Sequence, residues 1–180
     1  MNTPFYPFDS GVANSLVSEW QQNRSQQNAM SVRELMVHIA ACAIADPDES
    51  VYQLLDLKPY QLLKRKKFTR YYRSSQAYVW KRVLMVVHPN RVEQIMEGVD
   101  GLLRASGGGV ARSGEQTRLD LLLYDEIVDN FKEEGFLSVA HQVVIRIGGD
   151  IEKKPNNLIF SVRYSDYLDS QYQLFLSELS

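Results

Sequence analysis

The first half of the chain places apolar residues three and four positions apart, which is the spacing of an amphipathic helix. A first helix is predicted over residues 10–20, before the polar stretch QQNRSQQN. Residues 31–34, SVRE, have the form of a capping box, and one apolar face follows them until Asp46-Pro47 ends the second helix. Two short helices, DESVYQLLDL and PYQLLKRKK, come next, with Pro59 as the first helical residue of the second.

Two longer amphipathic helices are predicted in the centre of the chain. Asn90 is expected to cap the first, whose apolar residues repeat over residues 92–103. The second is predicted to begin at Thr117 and to end at Gly135. Between them SGGGVARSG contains three successive glycines, and since glycine tolerates most backbone conformations we interpret residues 106–116 as a flexible hinge.

Three other segments favour strands. Residues 77–87 are rich in Val, Tyr and Trp, which is typical of a largely buried strand, although a continued helix is the alternative. Apolar residues alternate with mostly polar ones over residues 137–147 and again over 158–164, and GGDIEKKPNN between them has the composition of a hairpin connection. A closing helix is predicted over residues 168–179.

These elements predict an α+β fold, with a mainly helical N-terminal half and C-terminal helices packed on a small antiparallel β-hairpin sheet. The predicted organisation is an N-terminal arm and polar linker (residues 1–30), a helical region with a basic and aromatic segment (31–105), the glycine-rich loop (106–116) and an α-β-β-α region (117–180).

The order of elements over residues 77–164 is similar to that of a winged-helix domain, with Lys153 and Lys154 near the tip of the wing. Two features depart from that pattern. The glycine-rich loop is longer than the turn expected between the two helices, and the would-be recognition helix is acidic, with Asp120 and Asp125 among its carboxylates.

Charge is strongly segregated along the chain. Residues 58–82 carry nine of the twenty Lys and Arg and no Asp or Glu, so that eleven cations remain against all twenty-two carboxylates elsewhere. Six aromatic residues lie among the nine cations. Cations attract phosphates whatever the base sequence, and flat side chains offer a face to bases. The pattern therefore favours a polyanionic partner, either DNA or RNA.

The candidate nucleic-acid-binding residues are cations of this segment, two tyrosines beside them and the lysines of the predicted wing. They are Lys64, Arg65, Lys66, Lys67, Arg70, Tyr71, Tyr72, Arg73, Lys81, Arg82, Lys153 and Lys154. The two short helices around Pro59 have the dimensions of a helix-turn-helix, with YQLLKRKKFTRYYR as the recognition helix. Two alternatives stay open: docking to an acidic protein surface, such as that of a second copy of this chain, and a solvated face without a ligand.

The sequence shows no motif for catalysis or for a cofactor. His38, His88 and His141 are isolated, and the single cysteine, Cys42, lies in an apolar helical stretch. SGGGVARSG lacks the lysine of a phosphate-binding loop, although Arg112 would add charge there. We therefore predict no enzyme, cofactor or metal. No apolar run approaches the roughly twenty residues of a membrane helix, so we expect no membrane partner and a cytoplasmic location.

The leading hypothesis is a non-enzymatic nucleic-acid-binding or nucleoprotein-assembly factor. The alternative is an adaptor or structural subunit of a protein assembly, which docks through charge-complementary surfaces as a homo-oligomer or with another protein. Both hypotheses account for the segregated charge.

Overall fold

The computed structural model describes residues 10–22, 31–148 and 155–179, and every regular element in these ranges is a helix. The α-helices are α1 Ser10–Gln22, α2 Val32–Cys42, α3 Glu49–Leu54, α4 Leu62–Val87, α5 Val92–Ala105, α6 Gly108–Asn130, α7 Phe136–Arg146 and α8 Pro155–Leu179, and one 3₁₀-helix, Pro89–Arg91, precedes α5. No strand occurs in the described residues. The predicted α+β fold is therefore wrong, and this part of the chain is an all-α bundle.

The central helix of the bundle is α4, which packs against α2, α6, α7 and α8. Most of its side chains from residue 74 to residue 84 are buried, and Tyr78 and Trp80 are almost fully enclosed. Residues 77–87, predicted as a strand, are the end of this helix, so the alternative of a continued helix is correct. A helix that other helices cover on several sides carries apolar residues on several faces. Its sequence therefore lacks the repeat of apolar residues every three to four positions that identifies an amphipathic helix.

The predicted β-hairpin is a pair of helices. Residues 137–147 lie mostly in α7 and residues 158–164 in α8, and the two helices pack against each other. The buried residues of α7 include Phe136, Val139, Ala140, Val143 and Val144, which share one helical face that the alternating pattern concealed. Because the described ranges contain no strand, the winged-helix and α-β-β-α predictions are wrong. The tip of the predicted wing, with Lys153 and Lys154, lies outside the described residues.

The glycine-rich segment forms the start of α6 rather than a loop. Gly107 has a φ of 71°, which glycine adopts without steric cost, and the helix begins at the next residue. Further along α6, Gly114 is buried, and a Cβ at this position would lie 2.8 Å from the Cβ of Leu103 in α5. This glycine therefore allows α5 and α6 to approach closely. Packing against α5 explains why a sequence of low helix propensity is helical here.

The predicted cap of α2 is confirmed, whereas the predicted roles of Asn90 and Pro59 at helix starts are wrong. The capping box of α2 is present, with Ser31 as the N-cap and its backbone N–H donating to the Glu34 carboxylate at 2.8 Å. Asn90 does not cap α5, because it lies within the 3₁₀-helix that precedes that helix. Pro59 is not a helical residue, since α4 begins three residues later at Leu62.

The helices α4, α6 and α8 run in the same direction. The contacts that show this, in order along α4, are Ser74–Asp120 and Lys81–Asp125 for α6, and Phe68–Phe160 and Trp80–Phe175 for α8. The first turns of these three helices therefore lie at one end of the bundle, which we call the basic end. The last turns of α4 and α6 lie at the opposite end.

Candidate nucleic-acid interface

A cleft of about 1110 Å³ lies at the basic end, between the first half of α4, the α2–α3 connection and the first turns of α6. We call it the basic cleft. Its charged lining consists of six cations, Arg65, Lys66, Lys67, Arg70, Arg73 and Arg112, and two carboxylates, Asp46 and Glu49. Five of the six cations come from nine consecutive residues of α4, so little more than two helical turns supply most of the positive charge.

Two of the cleft arginines are held in ion pairs. Arg65 pairs with Glu49 at the start of α3, and its guanidinium lies 3.7 Å from the centroid of the Tyr52 ring. Arg73 donates to a carboxylate oxygen of Asp46 at 2.7 Å. These contacts connect α4 to α3 and to the α2–α3 connection. They therefore shape the wall of the cleft, and they compensate the charge of its two carboxylates.

The other four cleft cations are Lys66, Lys67, Arg70 and Arg112, and all four are exposed. None of them forms an ion pair with a carboxylate of the described chain. We call them the unpaired cations. Because no carboxylate of the described residues neutralises them, they create a positive potential that a bound anion would relieve. They are the charges in this cleft that are best placed to contact a polyanion.

The helix ends at the basic end add partial positive charge. The first turns of α4, α6 and α8 contain no acidic residue, and no side chain caps α4 or α6. The backbone N–H groups of a first turn have no partner within their helix and carry the positive end of the helix dipole. In contrast, α2, α3 and α5 each have a glutamate in the first turn, namely Glu34, Glu49 and Glu93.

Of the two predicted site tyrosines, Tyr71 is buried in the bundle and Tyr72 is half-buried against its core. Tyr71 is 8% exposed, and the hydroxyl of Tyr72 lies 3.1 Å from that of Tyr167 in α8. Burial, together with the neighbouring Tyr167, raises the pKa of Tyr72 well above the usual value of a phenol. Both rings therefore pack beneath the cations and take part in the core. We leave them out of the interface proposed below.

The structure separates the remaining predicted cations from the basic cleft. Lys64 is half-buried, with its Nζ 5.8 Å from the centroid of the Phe160 ring. Lys81 forms an ion pair with Asp125 further along α4. Arg82 follows it and lies close enough to Tyr78 to oppose the rise in the pKa of that phenol, which burial brings to about 12.

The predicted helix-turn-helix corresponds to α3 and the start of α4. The connection between them covers residues 55–61, which is longer than the three- to four-residue turn of that motif. The face of α4 that carries Phe68 and Tyr71 packs into the core. This region therefore offers a ligand the cations on the neighbouring face of α4. It does not offer a freely exposed recognition helix.

Arg112 is the cleft cation that was not among the predicted site residues. The sequence interpretation assigned its segment to a hinge without a ligand. In the structure, Gly109, Arg112, Ser113 and Gln116 all line the cleft, at the three- and four-residue spacing of one helical face. If SGGGVARSGEQ had been interpreted as a helix, Arg112 would have been placed one turn after the glycines. The glycines instead favoured a loop, so the position of Arg112 on a helical face was missed.

The described residues contain no cluster of three or more His, Cys, Asp or Glu able to hold a metal ion. Burial lowers the pKa of His38 to about 4 and raises that of the Cys42 thiol to about 12, so both side chains are uncharged near neutral pH. Within the same ranges, no helix combines the length and the apolar character needed to cross a membrane.

Comparisons with known proteins add no further constraint on the site: the chain matches no protein-family model, no curated protein and no solved structure.

Proposed function

We propose that the protein binds nucleic acid, without enzymatic activity, through the basic cleft. The observation that carries the proposal is the convergence of four unpaired cations on one cleft, in a chain whose formal net charge is −2. Like charges that repel one another without compensation are costly, and a bound polyanion removes that cost. The first turns of α4 and α6, which no side chain caps, lie at the same end, and the positive ends of their helix dipoles also favour a bound anion.

Phosphate groups are the chemistry that this cleft fits best. Lys66, Lys67, Arg70 and Arg112 would neutralise successive phosphates, and the ion-paired Arg65 would hold the wall in place. Contacts to phosphates position a nucleic acid but do not specify its bases. We therefore expect binding with little sequence preference, and DNA and RNA are both candidates. A cytoplasmic location remains part of the proposal, as does a role in nucleoprotein assembly.

The proposal is tested by fluorescence anisotropy with labelled single-stranded and duplex oligonucleotides. Arg70→Ala combined with Arg112→Ala removes two unpaired cations from opposite sides of the cleft. We expect this variant to raise Kd at least about tenfold at low salt, since each lost phosphate contact weakens binding. The matched control is Arg91→Ala with Lys132→Ala, which removes the same charge from exposed positions outside the cleft lining.

The control variant should bind within about twofold of the unmodified protein, because its cations lie far from the cleft compared with the screening length of about 10 Å. Equal weakening in the two variants would show that only net charge matters, and the proposed site would then be wrong. Absence of binding at low salt would contradict the function itself.

A second candidate function is an adaptor or structural subunit of a protein assembly. The observation that favours it is a group of exposed apolar side chains at the basic end, on Tyr60, Leu62 and Leu63, the last two of which also line the basic cleft. Phosphate binding does not account for these side chains.

A further inference from the structure

Three large apolar side chains protrude at the basic end. Tyr60, Leu62 and Leu63 are 80%, 73% and 70% exposed, which makes them the most exposed large apolar residues of the described chain. They border a recess that Lys64 and Lys67 also line. We call these three residues the apolar tip. Exposed apolar groups gathered at one place and surrounded by charge are typical of an interaction surface.

The opposite end of the bundle has the same construction with the opposite charge. Phe131, directly after α6, is 55% exposed, and Val86, at the end of α4, is 58% exposed. Residues 125–134 contain five carboxylates and one cation. We call the end formed by Val86, Phe131 and residues 125–134 the acidic end.

The helix directions place the apolar tip and the acidic end far apart. Lys81 pairs with Asp125, and both α4 and α6 continue beyond this pair in the same direction. The apolar tip lies at the other end of α4, a helix of 26 residues whose length is about 39 Å. One molecule therefore cannot bring its own two ends together.

From this arrangement we propose that the protein self-associates head to tail, with the apolar tip of one copy docked on the acidic end of the next. Each end presents apolar side chains surrounded by charge, and the charges are opposite in sign, so a second copy supplies what each end lacks. The two surfaces differ, so the contact is heterologous. Each added copy leaves one tip and one acidic end free, so the products are open chains of copies unless the rotation between copies closes a ring.

This proposal and nucleic-acid binding assign their contacts to different side chains, although Leu62 and Leu63 of the tip also line the basic cleft. Phosphate contacts are assigned to the four unpaired cations of the cleft, whereas self-association is assigned to the tip and the acidic end. A variant of the tip leaves the unpaired cations in place, and the two proposals can therefore fail separately.

The test is analytical ultracentrifugation with two variants that each block one end. The tip variant is Leu62→Ser with Leu63→Ser, and the acidic-end variant is Phe131→Ser with Glu133→Lys. All four positions are exposed, so circular dichroism should show an unchanged helical fold. The matched control, Leu119→Ser with Leu122→Ser, removes two exposed leucines from the side of α6.

We expect the unmodified protein and the control to increase in mass with concentration up to about 100 μM at low salt, and less at high salt. Each blocked variant alone should remain monomeric. A mixture of the two blocked variants should form dimers and nothing larger, because only one competent tip and one competent acidic end remain per pair. A closed symmetric dimer would instead limit the unmodified protein to twice the mass of the monomer.

Several outcomes would overturn the proposal: a strictly monomeric unmodified protein, assembly that persists in a blocked variant, or an equal loss of assembly in the control. Another is a monomer that sediments with vesicles of anionic phospholipid and loses this binding in the tip variant. That result would assign the tip to a membrane surface instead.

Discussion

The two halves of α4 belong to one continuous helix and yet have opposite environments. Residues 62–73 leave three of their six cations exposed and bury none of them completely, whereas residues 74–84 are almost all buried among α2, α6, α7 and α8. The two buried serines that begin the second half have partners: Ser74 donates to Asp120 at 2.6 Å, and Ser75 donates to the backbone carbonyl oxygen of Tyr72 at 2.8 Å. The comparison shows that α4 supplies stability through one half and a charged surface through the other.

Substitution of Trp80, in the second half of α4, should have the largest effect on stability. Its ring is fully buried and stacks on Phe175 with centroids 4.3 Å apart. Trp80→Ala should lower the free energy of unfolding by about 3–5 kcal/mol, because it leaves a large cavity. Lys66→Ala in the exposed half should change it by less than about 0.5 kcal/mol. Urea unfolding measures both, and equal losses would contradict the division of α4.

The pH dependence of stability tests the same buried half. The His38 ring packs edge-on against Trp80, and burial lowers its pKa to about 4 from an ordinary value of 6.5. Since the folded state favours neutral His38, this contribution to stability is complete above about pH 6.5 and is lost as the pH falls towards 4. We expect a loss of about 2 kcal/mol between pH 7.5 and pH 5.

The measurement is the urea midpoint of the unmodified protein and of His38→Gln at a series of pH values. The variant should be less sensitive to pH between 6.5 and 5, although its stability at pH 7.5 is lower. Glu34, Asp56 and Glu115 have lowered pKa values, so their effects appear at more acidic pH. Equal pH dependence in both proteins would show that His38 is not held neutral by the fold.

A smaller effect is expected from two glycines of α6. Gly114→Ala brings a Cβ to 2.8 Å from the Cβ of Leu103 and should cost about 1 kcal/mol or more, since the strain outweighs the gain in helix propensity. Gly109→Ala meets no atom within 4 Å and should instead raise stability by up to about 1 kcal/mol. Thermal unfolding compares the two. Stabilisation by both substitutions would mean that α6 does not approach α5 closely.

The sequence was informative wherever one face of a helix is apolar and the other polar. The capping box at Ser31 could be predicted because its residue types have the spacing of that motif. The buried stripe of α5 could be predicted because its apolar residues have the spacing of an amphipathic helix; they are Val92, Ile95, Val99 and Leu103. The same holds for the cations of α4, whose segregation is visible without a structure. Five of them line the cleft as a group, namely Arg65, Lys66, Lys67, Arg70 and Arg73.

The remainder depends on contacts between distant parts of the chain. Trp80 lies in a segment with few polar residues because other helices cover it, and such a segment resembles a buried strand. Arg112 joins the cleft because Gly114 lets α6 pack on α5, which no local pattern reveals. Likewise, the sequence alone does not show that Glu49 and Asp46 neutralise Arg65 and Arg73, since each pair joins residues far apart in the chain.

The most direct test of the central claim is the salt dependence of nucleic-acid binding, measured on duplex DNA with and without the four unpaired cations. Each neutralised phosphate contributes about −0.9 to the slope of log affinity against log salt concentration, so four contacts predict a slope of about −3.5. Replacement of Lys66, Lys67, Arg70 and Arg112 by Ala should bring the slope close to zero. A flat response in the unmodified protein, or a slope that the variant leaves unchanged, would contradict the account.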